Sequence, residues 1–285
     1  MNLKQLSDTY TLSNGVKIPC VGFGTYRIPN GEVAENAVKN AIEIGYRHID
    51  TAAGYKNEES VGKAIKLSGV KREDIFVTSK LHNLSHGYEK TMEGFEMTMK
   101  NLEMDYLDLY LIHWPNPESF RDSWKEANAG SWKAFEEFYK AGRIRAIGIS
   151  NFLPHHIDAL METAKISPMV NQIRLCPGNI QAETVKFCRE RNILLEAYSP
   201  LATGRVFESK ELEEIGKKYN KSVAQICVRW SIQMEFLPLP KTSTPSRMVE
   251  NADIFNFNLS EEEVKLLSDM TGEFGSFTDP DTTTW

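Results

Sequence analysis

An aspartate, a tyrosine, a lysine and a histidine stand where apolar runs of this chain end. Asp50 follows the run at 46–49, and Tyr55 comes five positions later. Lys80 closes the run at 75–79, and His113 closes the run at 107–112. Brought together, these groups make a proton-delivery site. A free phenol has a pKa of about 10, and a neighbouring ammonium is expected to lower it. Asp50 would hold Lys80 charged and aimed. His113 and Tyr55 would donate hydrogen bonds to a carbonyl oxygen, with Tyr55 delivering the proton. The set needs no nucleophile, so the proton has to be paired with another group. A hydride is the natural partner, and a hydride requires a nicotinamide cofactor.

The site exists only if the strands carrying these residues are neighbours. Eight short apolar runs lie at 20–24, 47–49, 75–79, 107–112, 144–149, 169–171, 194–197 and 236–239. Helix-like stretches separate them at 33–44, 60–67, 88–102, 131–141, 154–164, 182–191 and 222–233. Pro154 suits a first helical turn, Ser222 with Gln225 fits a capping box, and Ser260 opens a further helix. Strands alternating with helices imply a parallel sheet, and continuous apolar runs imply strands covered on both faces. Eight units in a 285-residue chain match an α/β fold of the (β/α)8 TIM barrel type, which typically needs about 250 residues. The rival is an open doubly wound sheet. Gly22-Phe23-Gly24 continues as Thr25-Tyr26-Arg27 and opens no glycine-rich helix start, which argues against it. Before the barrel, alternating residues around Asn14-Gly15 predict a β-hairpin. Residues 1–285 read as one barrel domain, with 271–285 as a C-terminal loop near the substrate pocket. Residues 116–130 read as a long loop over the rim carrying Phe120, Arg121 and Trp124.

Composition narrows the function classes. The chain is 41% hydrophobic with a formal charge of -6 and no basic tract, so nothing points to nucleic acid or an anionic membrane surface. The first residues lack the apolar core of a signal peptide, and no stretch approaches the roughly 20 apolar residues of a membrane span. Cys20, Cys176, Cys188 and Cys227 are scattered without metal-type spacing, which favours reduced thiols, a cytoplasmic location and no metal site. A monomer is expected.

In a closed barrel the C-terminal strand ends form one rim, where active sites sit. Polar or aromatic groups follow all eight runs: Thr25 and Tyr26; Asp50 and Tyr55; Lys80; His113 and Trp114; Ser150 and Asn151; Gln172; Tyr198 and Ser199; Lys241 and Thr242.

These segments carry a resemblance. Gly45-Tyr46-Arg47-His48-Ile49-Asp50-Thr51-Ala52-Ala53-Gly54-Tyr55, Thr78-Ser79-Lys80, Leu111-Ile112-His113-Trp114-Pro115, Gly148-Ile149-Ser150-Asn151-Phe152, Ala197-Tyr198-Ser199-Pro200-Leu201 and Pro240-Lys241-Thr242-Ser243-Thr244-Pro245-Ser246-Arg247 resemble the motifs of the aldo-keto reductase superfamily, in order and over nearly the whole chain. The resemblance implies NADPH-dependent reduction of aldehydes and ketones, with Asp50, Tyr55, Lys80 and His113 as catalytic tetrad. It implies that Ser150, Asn151 and Gln172 bond the nicotinamide carboxamide and that Tyr198 stacks on the ring. Ser199 and Leu201 would follow the pyrophosphate. Lys241, Thr242, Ser243, Thr244 and Arg247 would hold the 2′-phosphate, Glu250 and Asn251 would lie at the adenine, and Gly24, Thr25, Tyr26 and Asp50 would line the nicotinamide end. Two cations meeting a phosphate monoester favour NADPH over NADH.

Three positions depart from the family pattern. His82 stands where many relatives carry Trp, Arg174 is unusual after Gln172, and Ala202 replaces a glycine after Leu201. The substrate pocket would be lined by Tyr26, Tyr55, His82, His113 and Trp114, and the aromatic walls of Tyr26 and Trp114 suit an apolar or flat carbonyl compound. His82, Arg121 and Arg174 point toward polar or anionic substrates. Two other functions stay open at this point: a lyase using Lys80 as a Schiff base, and a non-enzymatic NADPH-binding accessory protein.

Overall fold

The computed structural model describes residues 3–285. A two-stranded antiparallel hairpin comes first, β1 (Thr9–Thr11) and β2 (Lys17–Pro19), paired Tyr10 to Ile18. Gly15 makes its turn at φ 88, which glycine adopts without a Cβ clash. The Asn14 side chain accepts from Val16 N–H and donates to the Arg145 carbonyl, while Tyr10 Oη donates to the Phe236 carbonyl. Both partners stand at or near the N-terminal ends of barrel strands, so the hairpin forms a floor opposite the rim.

Eight parallel strands follow in sequence order: β3 (Phe23–Gly24), β4 (His48–Asp50), β5 (Phe76–Leu81), β6 (Leu107–Ile112), β7 (Ile144–Ser150), β8 (Val170–Arg174), β9 (Leu194–Tyr198) and β10 (Leu237–Leu239). Gly22 N–H donates to the Pro238 carbonyl at 3.0 Å and Gly24 N–H to the Pro240 carbonyl at 3.1 Å, joining the last strand to the first. The seam is tight: a Cβ on Gly22 would fall 2.4 Å from Leu239 Cδ2 and 2.7 Å from His48 Nδ1. The architecture is therefore a (β/α)8 barrel with an N-terminal hairpin, as expected from the alternation.

The helices cover the strands with one apolar stripe each. In α1 (Glu32–Ile44) the buried positions are Ala34, Ala37, Val38, Ala41 and Ile42, the spacing of a single helix face. α2 (Glu58–Leu67) approaches α3 (Tyr88–Leu102) so closely that a Cβ on Gly62 would fall 2.2 Å from the Leu102 carbonyl oxygen. α4 (Trp124–Lys140), α5 (Pro154–Met161), α6 (Ala182–Glu190), α7 (Lys210–Tyr219), α8 (Val223–Gln233), α9 (Pro245–Ala252) and α10 (Glu261–Asp269) complete the shell. Ser222 forms the expected capping box with Gln225, Ser260 opens α10 as expected and does so through a capping box with Glu263, and Pro154 opens α5.

Three expectations are corrected. Residues 116–130 are not one long loop: a 3-10 turn spans Glu118–Ser123 and α4 starts at Trp124, where its buried face reaches Ala127 and Asn128. The helices α7 and α9 were not expected. The first is started by Ser209, whose hydroxyl accepts from Leu212 N–H, and it buries Leu212, Ile215 and Gly216. Lys80 does not end its strand, because β5 continues through Leu81. No helix among the described residues is long and apolar enough to cross a membrane.

Candidate active site

Lys80 is wholly buried inside the barrel. Its Nζ donates to both oxygens of Asp50 (2.7 and 2.9 Å), to the Thr51 carbonyl (2.9 Å) and to Tyr55 Oη (3.1 Å). An ammonium only donates, so the Tyr55 oxygen is the acceptor in that bond. Its own proton is left to point elsewhere, and the half-buried phenol stands at the mouth. The His113 ring packs edge-on against Tyr55 with centroids 5.7 Å apart, and the exposed Tyr26 ring covers the other flank at 5.0 Å. The structure thus brings the four residues together at the ends of neighbouring strands β4, β5 and β6.

The protonation states fit an acid, with one correction. Burial pushes Tyr55 up to about 12, and the Lys80 charge offsets only part of that rise. The expected net lowering by Lys80 does not occur, because the desolvation of a phenolate outweighs one ammonium that is itself neutralised by Asp50. Tyr55 is consequently protonated at neutral pH. Burial works against the charge on Lys80, yet Asp50 and then Tyr55 reverse this and raise its pKa. A protonated amine does not add to a carbonyl, so the raised pKa argues against a Schiff base at Lys80. Burial, then the charge of Lys80, holds His113 well below its ordinary value, so it is a neutral donor.

Behind the tetrad lies a polar layer that sequence reasoning missed. Gln172 Nε2 donates to Asp50 Oδ2 at 2.8 Å and to Glu196 Oε2 at 2.7 Å. Since β8 and β4 are not adjacent strands, the first bond crosses the barrel lumen. Glu196 is fully buried, and burial together with the Asp50 charge pushes it up to about 8. His48 bonds Thr78 Oγ1 at 2.9 Å, lies 3.9 Å from Glu196, and is driven down to about 3 by burial and Lys80. The available signal was strand alternation: Glu196 is two residues before Tyr198 and so shares its face.

This layer has a pH signature. Unfolded Glu196 would lose its proton near its ordinary value of 4.5, whereas the folded chain keeps it to about 8. Within that window the unfolded state binds fewer protons, so stability falls as pH rises and levels off above it. Glu196→Gln cannot ionise. Its urea midpoint relative to wild type should therefore rise between about pH 5 and about pH 9. Parallel pH dependences for the two proteins would show that Glu196 does not titrate in this window.

The later rim is pre-arranged. Ser150 Oγ donates to the Gln172 carbonyl at 2.7 Å. Asn151, at φ 63, donates to the His113 carbonyl and to Ser150 Oγ and accepts from Tyr198 Oη at 2.8 Å. With its amide nitrogen committed to two carboxyl groups, Gln172 has its amide oxygen left to accept, which suits an amide N–H2. Tyr198 is anchored by its hydroxyl and half-buried, and Ser199 (φ 50) leads through Leu201 into a 3-10 stretch over Ala202–Glu208. Thr25 is committed to the junction of β3 and β4, its hydroxyl donating to the Asp50 carbonyl at 2.9 Å. Lys241, Ser243, Thr244 and Arg247 are exposed around the start of α9, Thr242 is buried, and Glu250 and Asn251 lie on α9. Neither Lys241 nor Arg247 has a carboxylate partner among the described ion pairs, so both cations are available to an anion.

The tail reaches the rim. Trp285 packs edge-on against the buried Trp114 at 5.6 Å. Arg121 donates to the Asp281 and Thr283 carbonyls, and Arg174 donates to the Phe274 carbonyl at 2.8 Å. These bonds tie both guanidinium groups to the tail at the rim. Asp281 accepts from Asn116 (2.9 Å) and His156 (2.9 Å) and lies 3.0 Å from His155. His155, His156 and Asp281 are close enough to converge on one ion. Leu153 N–H, however, donates to His156 Nδ1 at 3.2 Å, placing the ring proton on the nitrogen facing Asp281. The trio is a hydrogen-bonded clasp for the tail.

The comparisons with known proteins agree with this geometry. The profile of the Aldo/keto reductase family matches residues 20–271. The chain is similar to a glyoxal reductase of Bacillus subtilis (strain 168), 47% identical over 259 residues and 91% of each protein. It is similar to the crystal structure of MGS-M4, an aldo-keto reductase enzyme from a Medee basin deep-sea metagenome library, at 43% identity and TM-score 0.91, covering 97% of this chain and 100% of that one. It also resembles an aldo-keto reductase of Bombyx mori solved in complex with NADP, at 35% identity and TM-score 0.84 over 94% of both chains. With the barrel and the family profile in agreement, the chain belongs to the aldo/keto reductase family and is an enzyme of the oxidoreductase class.

Proposed function

We propose that this enzyme reduces aldehydes and ketones to alcohols, reversibly, with NADPH. The observation that carries the reading is the Lys80 ammonium donating to Asp50 and to the Tyr55 oxygen, which leaves the phenolic proton as the one that can be delivered outward. When bound, NADPH supplies the hydride that joins the carbonyl carbon. Tyr55 gives its proton to the carbonyl oxygen, and Lys80 stabilises the phenolate that remains. Asp50 and the Thr51 carbonyl keep Lys80 in place. Neutral His113 donates to the same carbonyl oxygen and orients it. In the reverse direction Tyr55 has to be a phenolate first, so alcohol oxidation should rise with pH.

The residues fit the cofactor. The Gln172 amide oxygen, beside Ser150 and Asn151, suits a carboxamide, the anchored Tyr198 ring suits stacking, and Ser199 and Leu201 follow toward the pyrophosphate. Gly24, Thr25 and Tyr26 lie beside Asp50 at the near end. Lys241 and Arg247, with Thr242, Ser243 and Thr244, would hold the 2′-phosphate, and Glu250 and Asn251 the adenine end. Tyr26, His82, Trp114 and the tail 271–285 would enclose the substrate. Every one of these residues comes from a single chain, so a monomer suffices, and four buried free cysteines suit a reducing cytoplasm.

The test is a carbonyl panel with NADPH and NADH, run on wild type and on Lys241→Met and Arg247→Met. Wild type should oxidise NADPH in the presence of aldehydes. Each variant should raise KM for NADPH roughly tenfold or more while leaving KM for NADH within about threefold, since charge-assisted bonds to phosphate contribute about 1.5–3 kcal/mol. No turnover with either cofactor would leave the accessory-protein reading. Equal effects on both cofactors would remove Lys241 and Arg247 from the 2′-phosphate.

A further inference from the structure

Gln172 is fixed at its backbone and at both hydrogens of its amide. Its carbonyl accepts from Ser150 Oγ at 2.7 Å and from Asn151 N–H at 3.0 Å. Its Nε2 donates to Asp50 Oδ2 at 2.8 Å and to Glu196 Oε2 at 2.7 Å. Lys80 holds Asp50 as a carboxylate, which only accepts. The atom between the two acids is therefore the amide nitrogen, and Glu196 Oε2 is an acceptor as well. Glu196 is the strand partner of Gln172 across β8 and β9, whereas Asp50 reaches it across the lumen.

The two amide hydrogens lie in one plane with the amide oxygen. A single acceptor would let that plane rock about one bond. Two acceptors fix the plane, and with it the direction of Oε1. Glu196 supplies the second acceptor without a second charge, because burial and the Asp50 charge keep it protonated up to about 8. Among the described residues its side chain hydrogen-bonds Gln172 alone, and its Oε1 is buried without a partner. The Gln172 amide thus touches the proton-delivering groups through Asp50 and offers its oxygen to the cofactor side. Glu196 acts on both only through that amide.

We infer that Glu196 is a positioning residue for the cofactor: by holding the second amide hydrogen of Gln172, it aims Gln172 Oε1 at the N–H2 of the nicotinamide carboxamide. A side chain that is aimed before the ligand arrives loses less freedom on binding and holds its partner in one orientation. The inference rests on the NADPH reading of this site and assigns a role to a residue that touches neither cofactor nor substrate.

The test compares the binding of NADP+ with that of its 3-acetylpyridine analogue, in which a methyl group replaces the carboxamide N–H2. Both Kd values are read by quenching of tryptophan fluorescence, and their ratio isolates the contact to the N–H2. Wild type should bind NADP+ more tightly. Glu196→Leu removes the acceptor and should lower that preference roughly fivefold, the worth of about one hydrogen bond between neutral groups. Glu196→Gln keeps an acceptor oxygen and should hold the ratio within about twofold of wild type. Added to Gln172→Met, Glu196→Leu should change the ratio no further. Glu196→Met serves as the apolar variant if Glu196→Leu does not fold in urea titrations. Equal weakening of both ligands by the apolar variant would mean lost packing only and would overturn the inference. So would a Glu196 effect that persists beside Gln172→Met. A wild type that binds both ligands equally would remove the carboxamide contact, and this inference with it, while leaving the NADPH reading in place. A wild type that binds neither would overturn both.

Discussion

Tyr55→Phe is expected to lower kcat for carbonyl reduction by about a thousandfold, within the range that positioned general acids contribute. NADPH binding, followed by fluorescence quenching, should stay within about threefold, because the ring and its packing against Tyr26 and His113 survive. The reason is specific to the geometry. The Tyr55 oxygen accepts from Lys80 at 3.1 Å, and removing that oxygen removes both the deliverable proton and the acceptor for Lys80. His113 is neutral, and giving up its remaining proton would leave an imidazolate, a much stronger base than a phenolate. A variant with more than a tenth of wild-type kcat would mean that another group delivers the proton.

Lys80→Met is expected to damage stability and turnover together. Asp50 is almost fully buried, and with the ammonium gone its carboxylate would keep Gln172 as its remaining side-chain partner. Removing one member of a buried ion pair costs about 3–5 kcal/mol, chiefly because the other charge is left behind. Turnover should also fall by about a hundredfold or more, as the phenolate formed at Tyr55 loses its stabilising charge. The double variant Asp50→Asn with Lys80→Met removes both charges. It should recover part of the stability and none of the activity, which separates the two roles in urea unfolding and steady-state kinetics. A single variant as stable as wild type would show that Asp50 finds another cation or takes up a proton. Treatment with borohydride in the presence of substrate should leave wild-type Lys80 unmodified, since its pKa is raised.

Asp50, Lys80 and His113 were legible because each closes an apolar run, with Tyr55 five positions after Asp50, and because eight such runs alternating with helices dictate a barrel that makes those three ends neighbours. The cofactor segment at Lys241–Arg247 was legible only by resemblance. Its cations are surface residues, and nothing in their spacing distinguishes a phosphate site from a solvated face. Glu196 was hidden because a lone acid inside Leu194-Leu195-Glu196-Ala197 looks like an interruption. Its meaning depends on Gln172 and Asp50 meeting it across the lumen. Helix α7 had a local signal in the Ser209 cap and the spacing of Leu212, Ile215 and Tyr219. The net pKa of Tyr55 was not readable at all, because it depends on how far burial outweighs one paired charge. The contacts that tie down the tail were equally unreadable, since Asn116, Arg121 and His156 reach Asp281 across 125 to 165 residues.

The division of labour between a hydride from the cofactor and a proton from Tyr55 is tested most directly by isotope placement. Wild type and Tyr55→Phe would be given an aldehyde with NADPH deuterated at the transferable position of the nicotinamide, in ordinary water, and the alcohol examined by mass spectrometry. The expected result is one deuterium on the former carbonyl carbon per NADPH oxidised by wild type, with product from Tyr55→Phe reduced about a thousandfold. Alcohol carrying solvent hydrogen on that carbon, or full product formation by Tyr55→Phe, would contradict it.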